Sequence, residues 1–480
     1  MPILGQRNYK NLTIQEILSR SDELVGKTIQ ELISREHSTF SPWQSVDEIR
    51  NLKKFNQGTG KLGTAVEELV FGMESDNRPG PDFTKAGVEL KTTGLKKQKK
   101  KTGRGSVGAL VAKERLTLGM IDYPSVLDET WERSSVIKKC SSLLLLFYVY
   151  EENFHCFDLT WDARTYIGKF MGLPEQFITQ IEADWRSIVG KIRNGEAHLL
   201  SSGDTSFLEA SRKGSSNEPL KTQPNSRLKA KKRAFSLKAE FVDHLYRLAD
   251  ANHEYDSSLR PEQTIEEFVE EKLSQIVGMT GETIAELQRG VFNHKNKQRW
   301  RQLVERQLAG GKKFSQLREL PMSNTELRVV NFESDLRLIE SVSFPAFDYF
   351  EVAETPWENS KFFELLSTKR FLFACFQKSG HDNSGMRTAK FIGWQFWSFP
   401  MSFFEEARIV YQETQNRINR GTYKFSRKSE SSVCHVRPHA RNSKDLVEAP
   451  DGSQRKKYSF WLNANFIADE LLGGGINESD

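Results

Sequence analysis

The landmarks of the first half of this chain recur in the second half in the same order, and that repeat constrains the fold more than any single motif. The apolar run Leu143–Tyr150 is mirrored by Arg370–Phe376, and its expected hairpin partner, His155–Trp161, by Phe391–Trp397. A helix ending in Asn194-Gly195 has its counterpart in one ending in Arg420-Gly421. Gln223-Pro224-Asn225 is answered by Arg437-Pro438-His439, and Ala234–Lys238 by Ser459–Asn463. Five landmarks in one order point to a duplication. A chain of 480 residues is also too long for one core. Two domains are therefore expected, 1–248 and 265–480. The linker, 249–264, carries Asp250-Ala251-Asn252 and Ser257–Pro261, which interrupt the helical pattern.

Composition narrows the class. Hydrophobic residues make up 37% and aromatics 11%, enough to build those cores. The longest apolar run, Leu143–Tyr150, is too short to span a bilayer and reads as a buried strand. Residues 1–7 lack a signal-peptide apolar stretch, so the expected location is the cytoplasm. Cys140, Cys156, Cys375 and Cys434 are scattered without a Cys-x-x-Cys pair, which disfavours disulfides and structural zinc. Pro438 lies between His435 and His439 and disfavours the helix that a His-x-x-x-His metal site needs. Both histidines therefore read as polar or DNA-facing.

The chemistry concentrates in Pro81–Lys91. Side chains alternate along a strand, so Glu89 and Lys91 share one face while Val88 and Leu90 turn to the core. With Asp82 at the end of the preceding element, two carboxylates and an ammonium converge. Such a group can hold Mg²⁺ through hard oxygen ligands and position a water for attack on a phosphodiester. Short motifs of this kind also arise by chance on solvated strands; the surrounding charge is what argues for function. Residues 85–115 hold ten Lys/Arg against two acids, a net +8, while the whole chain carries +5. Residues 211–238 hold nine Lys/Arg against one acid. Clustered charge of this sign is the footprint of a nucleic-acid partner.

The Gly63-x-x-x-Glu67 helix, Asp82, Gly87-Val88-Glu89-Leu90-Lys91-Thr92 and the later Arg-Pro and Phe-x-Leu-Lys segments resemble the mismatch-repair nicking endonuclease MutH. The two-copy layout, Ala230–Lys238 and His435–Lys444 resemble type II restriction endonucleases built from tandem MutH-like halves, which cut unmodified DNA at GATC. The resemblance covers nearly the whole chain. It implies a mixed α/β fold with two restriction-endonuclease-like domains, each a mixed central sheet flanked by helices. It also implies an active site of Asp82, Glu89 and Lys91 with Mg²⁺ as cofactor. Glu67 would complete the metal site with Asp82 and Glu89, with Glu68 as its competitor. Lys139 would be a further active-site lysine, with Lys138 as its competitor.

The expected DNA contacts are Lys96, Lys97, Lys99, Lys100, Lys229, Lys231, Arg233, Ser236 and Lys238 in the first half. In the second half they are Arg437, His439 and Trp461. Gln223-Pro224-Asn225 and Ser236 replace the family's Arg-Pro-Lys and Tyr in the first half, so direct base readout must differ there. The second half offers only Glu319, Glu326 and Arg328 against the catalytic set. A guanidinium does not deprotonate, and Glu for Asp lengthens the ligand, so this half is expected to bind DNA without chemistry. The expected partner is double-stranded DNA, bound by a monomer that can dimerise on it, with a cognate methyltransferase acting on the same site. A strand-specific repair nickase and a non-catalytic DNA-binding regulator are the rival readings.

Overall fold

The apolar run Leu143–Phe147 is buried throughout, as expected of a central parallel strand covered on both faces. In the computed structural model, which describes residues 11–40, 46–52, 55, 61–73, 80–99, 106–167, 173, 175–214, 218–249, 257–381 and 387–474, sheets and helices mix in both halves. The first half contributes β1 (Glu89–Lys97), β2 (Leu110–Ala112), β3 (Leu116–Met120), β4 (Leu143–Val149), β5 (Trp161–Ile167), β6 (Leu208–Arg212) and β7 (Arg233–Leu237). Its main sheet has the order β2-β1-β4-β5, and its smaller sheet the order β3-β7-β6. β1 pairs parallel with β4, with Glu89 opposite Leu143 and Lys91 opposite Leu145.

The second half supplies β8 (Thr325–Phe332), β9 (Val342–Ser343), β10 (Arg370–His381), β11 (Arg387–Ser398), β12 (Cys434–Pro438), β13 (Leu446–Glu448), β14 (Gln454–Lys456) and β15 (Tyr458–Leu462). β8 pairs parallel with β10 and β10 antiparallel with β11, as β1 does with β4 and β4 with β5. β15 lies between β12 and β9 as β7 lies between β6 and β3. The matching pairings extend the sequence repeat into three dimensions. The hairpin β13–β14 is an addition between β12 and β15.

Two expectations shift in detail. The partner of β4 is Trp161–Ile167 and not His155–Trp161. The His155 imidazole accepts a hydrogen bond from Phe157 N at 3.2 Å and starts a 3₁₀ turn over Cys156–Asp158, so the strand begins later. The Gly63-x-x-x-Glu67 helix starts at Lys61 and passes into a π turn over Val66–Val70. Gly72, with φ +60°, then ends the segment. The helix Glu175–Arg193 buries Phe177, Ile181, Trp185, Ile188 and Ile192 along one stripe.

One apolar cluster runs through both halves, from Leu95, Phe147 and Phe241 to Ile265, Trp300 and Trp394. Polar links join the halves as well. Arg370, which pairs with Glu266 of its own half at 2.6 Å, donates across to Ser206 Oγ at 2.6 Å, and Ser398 donates to Asp204 at 2.8 Å. Among the described residues, no helix is long and apolar enough to cross a membrane.

Candidate active site

A tight turn brings the first carboxylate back onto β1. Phe83 and Val88 form an isolated antiparallel bridge, and Gly87 takes φ +67° between them. Asp82 Oδ2 then accepts a hydrogen bond from Leu90 N at 2.8 Å, which fixes Asp82 beside Glu89 and Lys91. Strand parity does the rest: Glu89 and Lys91 meet in an ion pair through Glu89 Oε1. Lys139, on the short helix Ser135–Cys140 that leads into β4, lies 3.4 Å from the same oxygen. Its neighbour Lys138 is exposed on the other side.

Glu89 is 1% exposed, and its Oε2 is buried with no hydrogen-bond partner among the described residues. Burial pushes its carboxyl above the usual range, and the pull of Lys91 only partly offsets this. Burial works against the Lys91 ammonium, but Glu89 beside it more than compensates, so Lys91 stays firmly charged. Cys140 adjoins this group. Burial raises its thiol to about 12, which leaves it an inert packing residue.

Glu67, on the π turn, and Lys91 line one cavity of about 650 Å³. Glu68 does not line it. A π turn inserts one residue into a helix and is frequent at functional sites. Among the described residues no cluster of three or more His, Cys, Asp or Glu is arranged to hold a metal ion. Asp82 and Glu89 stand together as a pair of carboxylates, and Glu67 is linked to them by the cavity that it lines with Lys91. Mg²⁺ commonly binds through one or two carboxylates and keeps several waters, and the unpartnered Glu89 Oε2 leaves one hard oxygen for it.

The far wall of the cavity holds cations that the sequence reading did not single out. Arg115 pairs with Glu209 at 2.7 Å, Lys213 donates to Thr117 Oγ1 at 2.6 Å, and Arg212 stands 5.3 Å from the Phe363 ring centroid. Their only signal was membership of the two basic stretches. Phe363, Ser367 and Met401 of the second half close the cavity on that side.

The expected DNA contacts divide. Lys96, Lys97, Lys99 and Lys229 are exposed, and Lys231 is half-buried with its carbonyl accepting the Tyr123 hydroxyl. Lys100 lies outside the described residues. Arg233, Ser236 and Lys238 are buried and require correction. Arg233 donates to the carbonyls of Ala210, at 2.7 Å, and Leu200. Ser236 meets Ser211 at 2.7 Å, and Lys238 donates to the carbonyls of Thr205 and Ser323, the latter at 3.1 Å. Ser236 and Lys238 spend their polar atoms inside the fold, whereas Arg233 keeps its Nε without a partner among the described residues and lines the cavity of about 650 Å³.

In the second half Arg437 is exposed and stacks 4.5 Å over the Trp461 ring. The His439 ring is 5.6 Å from that of Trp461, and its Nδ1 is 3.1 Å from Ser459 Oγ. His435 turns inward instead, 2.6 Å from Asn463, and is not DNA-facing. On β8 Glu326 pairs with Arg328 at 2.8 Å, and Lys369 lies 3.8 Å away, in the place that Lys139 takes beside Glu89. Glu319 turns elsewhere, accepting from Ser258 N at 2.7 Å.

Residues 71–176 match the family described as DNA mismatch repair enzyme MutH. The chain is 27% identical to the type II restriction enzyme Sau3AI of Staphylococcus aureus, over 96% of this chain and 98% of that protein. It is 26% identical to the DNA mismatch repair protein MutH of Shewanella woodyi, over 48% of this chain and 90% of that protein. A solved complex of the restriction endonuclease MvaI with cognate DNA substrate aligns with 51% of this chain and 98% of its own, at 14% identity. Its TM-score is 0.20, too low to carry an argument.

Proposed function

We propose, from its place among MutH-related type II restriction endonucleases, that this chain is a Mg²⁺-dependent enzyme that cuts double-stranded DNA at a short site. GATC is the site that its family resemblance implies. The observation that carries this reading is the buried, unpartnered Glu89 Oε2 beside Asp82 and a charged Lys91, inside the segment that matches MutH. Asp82 and Glu89, with Glu67 nearby, would hold the cation. When bound, it supplies charge neutralisation at the scissile phosphate and acidifies the attacking water.

The protein's own groups do the rest. Lys91, paired with Glu89, orients the water and stabilises charge developing on the phosphate. Lys139 adds a second cation to the same carboxylate. Water attacks phosphorus, the bond from phosphorus to the departing oxygen breaks, and the water's proton passes to solvent. Exposed lysines such as Lys229 would contact phosphates and set the position without choosing the sequence.

Residues 1–248 would form the catalytic unit and 265–480 a second DNA-binding unit, with 249–264 between them. The Shewanella woodyi relative, which aligns over about half of this chain, supports a unit of that size. The second unit would hold another copy of the target through Arg437, His439 and Trp461 and act as effector or tether. A single active unit then implies pairing of two monomers on DNA, or two successive nicks. The enzyme would work in the cytoplasm, beside a methyltransferase acting on the same sequence.

The likeness to a mismatch repair protein keeps a strand-specific nickase as the second reading. Incubation of the purified protein with methylated and unmethylated plasmid in Mg²⁺, followed by sequencing of the ends, separates the two. Double-strand cuts at one unmethylated sequence support the restriction enzyme. Nicks confined to hemimethylated DNA support the nickase, and intact supercoiled plasmid excludes both.

A further inference from the structure

The near end of β1 lines the catalytic cavity, but its far end does not. Lys97 is six residues beyond Lys91, about 20 Å along an extended strand. There β1 pairs with β2, and Lys96, Lys97 and Lys99 line a different, larger cavity of about 1320 Å³ between the halves. Lys113 joins them, its ammonium 3.6 Å from the centroid of the Tyr150 ring. The opposite wall belongs to the second half, where Arg301, paired with Glu305 at 2.7 Å, Lys361, 3.9 Å from Glu351, and Lys369 face the same space. Seven cations thus look into a cleft with three carboxylates: Glu152, Glu240 and Glu326. Glu326 is already engaged by Arg328 and Lys369.

Two like-charged walls held face to face repel each other, and a polyanion between them removes that cost. The cleft has a direction as well. Leu327 and Arg301 line it, while their neighbours Arg328 and Trp300 line the next cavity, of about 460 Å³, which also holds Lys297, Lys378 and Trp461. The two cavities draw lining residues from the same elements, β8 and the helix Arg299–Ala309. The second of them reaches the Trp461 ring over which Arg437 stacks.

We propose that Lys96, Lys97, Lys99 and Lys113 of the first half are phosphate contacts for the duplex DNA held by the second half, so that the effector cleft is a composite of both halves. This rests on the reading that the second half binds DNA. It places the strongest cationic run of the catalytic half away from the catalytic cleft. Occupancy of the effector cleft would then pull directly on β1, the strand that carries Glu89 and Lys91.

The test uses the full chain and two plasmids, with one and with two target sites, at equal total site concentration. The Lys96→Gln/Lys97→Gln/Lys99→Gln variant changes exposed side chains only. Its ratio of two-site to one-site cleavage should fall to within about two-fold of unity, because the gain in effective concentration is lost. Arg437→Ala, at the Trp461 ring, should lower the ratio in the same way. Equal losses on both plasmids would place the lysines in the catalytic cleft and overturn the proposal. A ratio lost with Arg437→Ala but kept by the triple variant would also overturn it, leaving DNA binding by the second half intact. A ratio unmoved by either variant would remove the reading on which the proposal stands.

Discussion

Lys238 and Lys229 lie nine residues apart in one basic segment, yet their environments assign them opposite work. Lys238 is buried between the carbonyls of Thr205 and Ser323, and burial lowers its ammonium to about 8. Lys238→Met should therefore destabilise the fold by about 2 kcal/mol, because two buried carbonyls lose their donor. Chemical denaturation measures that loss, and the salt dependence of DNA binding should stay unchanged. Lys229→Ala should leave stability alone and lower the salt slope by about 0.9, the effect of one lost phosphate contact. Sequence could not separate the two, since charge density along the chain says nothing about which cations tertiary packing encloses. Asp82, Glu89 and Lys91 could be brought together from sequence because strand alternation is a local rule. The choice of Lys139 over Lys138 was not legible: it depends on how one short helix meets β1.

At the scale of elements, β4, β7, β10 and β15 were legible from runs of apolar residues, and β1 from the alternation that sets Glu89 and Lys91 on one face. The sequence also marked the ends of the helices at Gly195 and Gly421, both of which adopt positive φ. The start of β5 was misplaced because a histidine cap, invisible to periodicity, converts three residues into a 3₁₀ turn. The turn before β1 carries its own test. A Cβ on Gly87 would meet nothing within 4 Å, so Gly87→Ala is opposed by backbone strain alone. That strain is roughly 1–2 kcal/mol for an L-residue in this region, and its relief by a shift of the turn would move Asp82 off Leu90 N. Gly87→Ala should slow cleavage more than Gly87→Asn, since Asn tolerates this conformation better. Single-turnover rates on a one-site plasmid make the comparison, and equal rates for the two variants would argue against a positioning role for the turn.

At the scale of the whole molecule, the duplication read from sequence reappears as matched strand orders, but sequence gave no sign that one apolar cluster would run through both halves. Ile265, Trp300 and Trp394 share it with Phe147 and Phe241. The full chain should therefore unfold in one denaturant transition, with far-UV circular dichroism and tryptophan fluorescence coinciding. Two resolved transitions would mean that the halves are stabilised separately. The central claim is that chemistry resides in the first half alone, at Glu89 and not at its counterpart Glu326. Plasmid cleavage in Mg²⁺ by Glu89→Gln and by Glu326→Gln, each in the full chain and on a one-site plasmid, tests it most directly. The account predicts no detectable cutting by Glu89→Gln and a rate within about three-fold of wild type for Glu326→Gln, because only the first carboxylate stands beside a lysine and an aspartate able to support metal-assisted attack. Cutting by Glu89→Gln at a tenth of the wild-type rate or faster, or loss of cutting with Glu326→Gln, would contradict it.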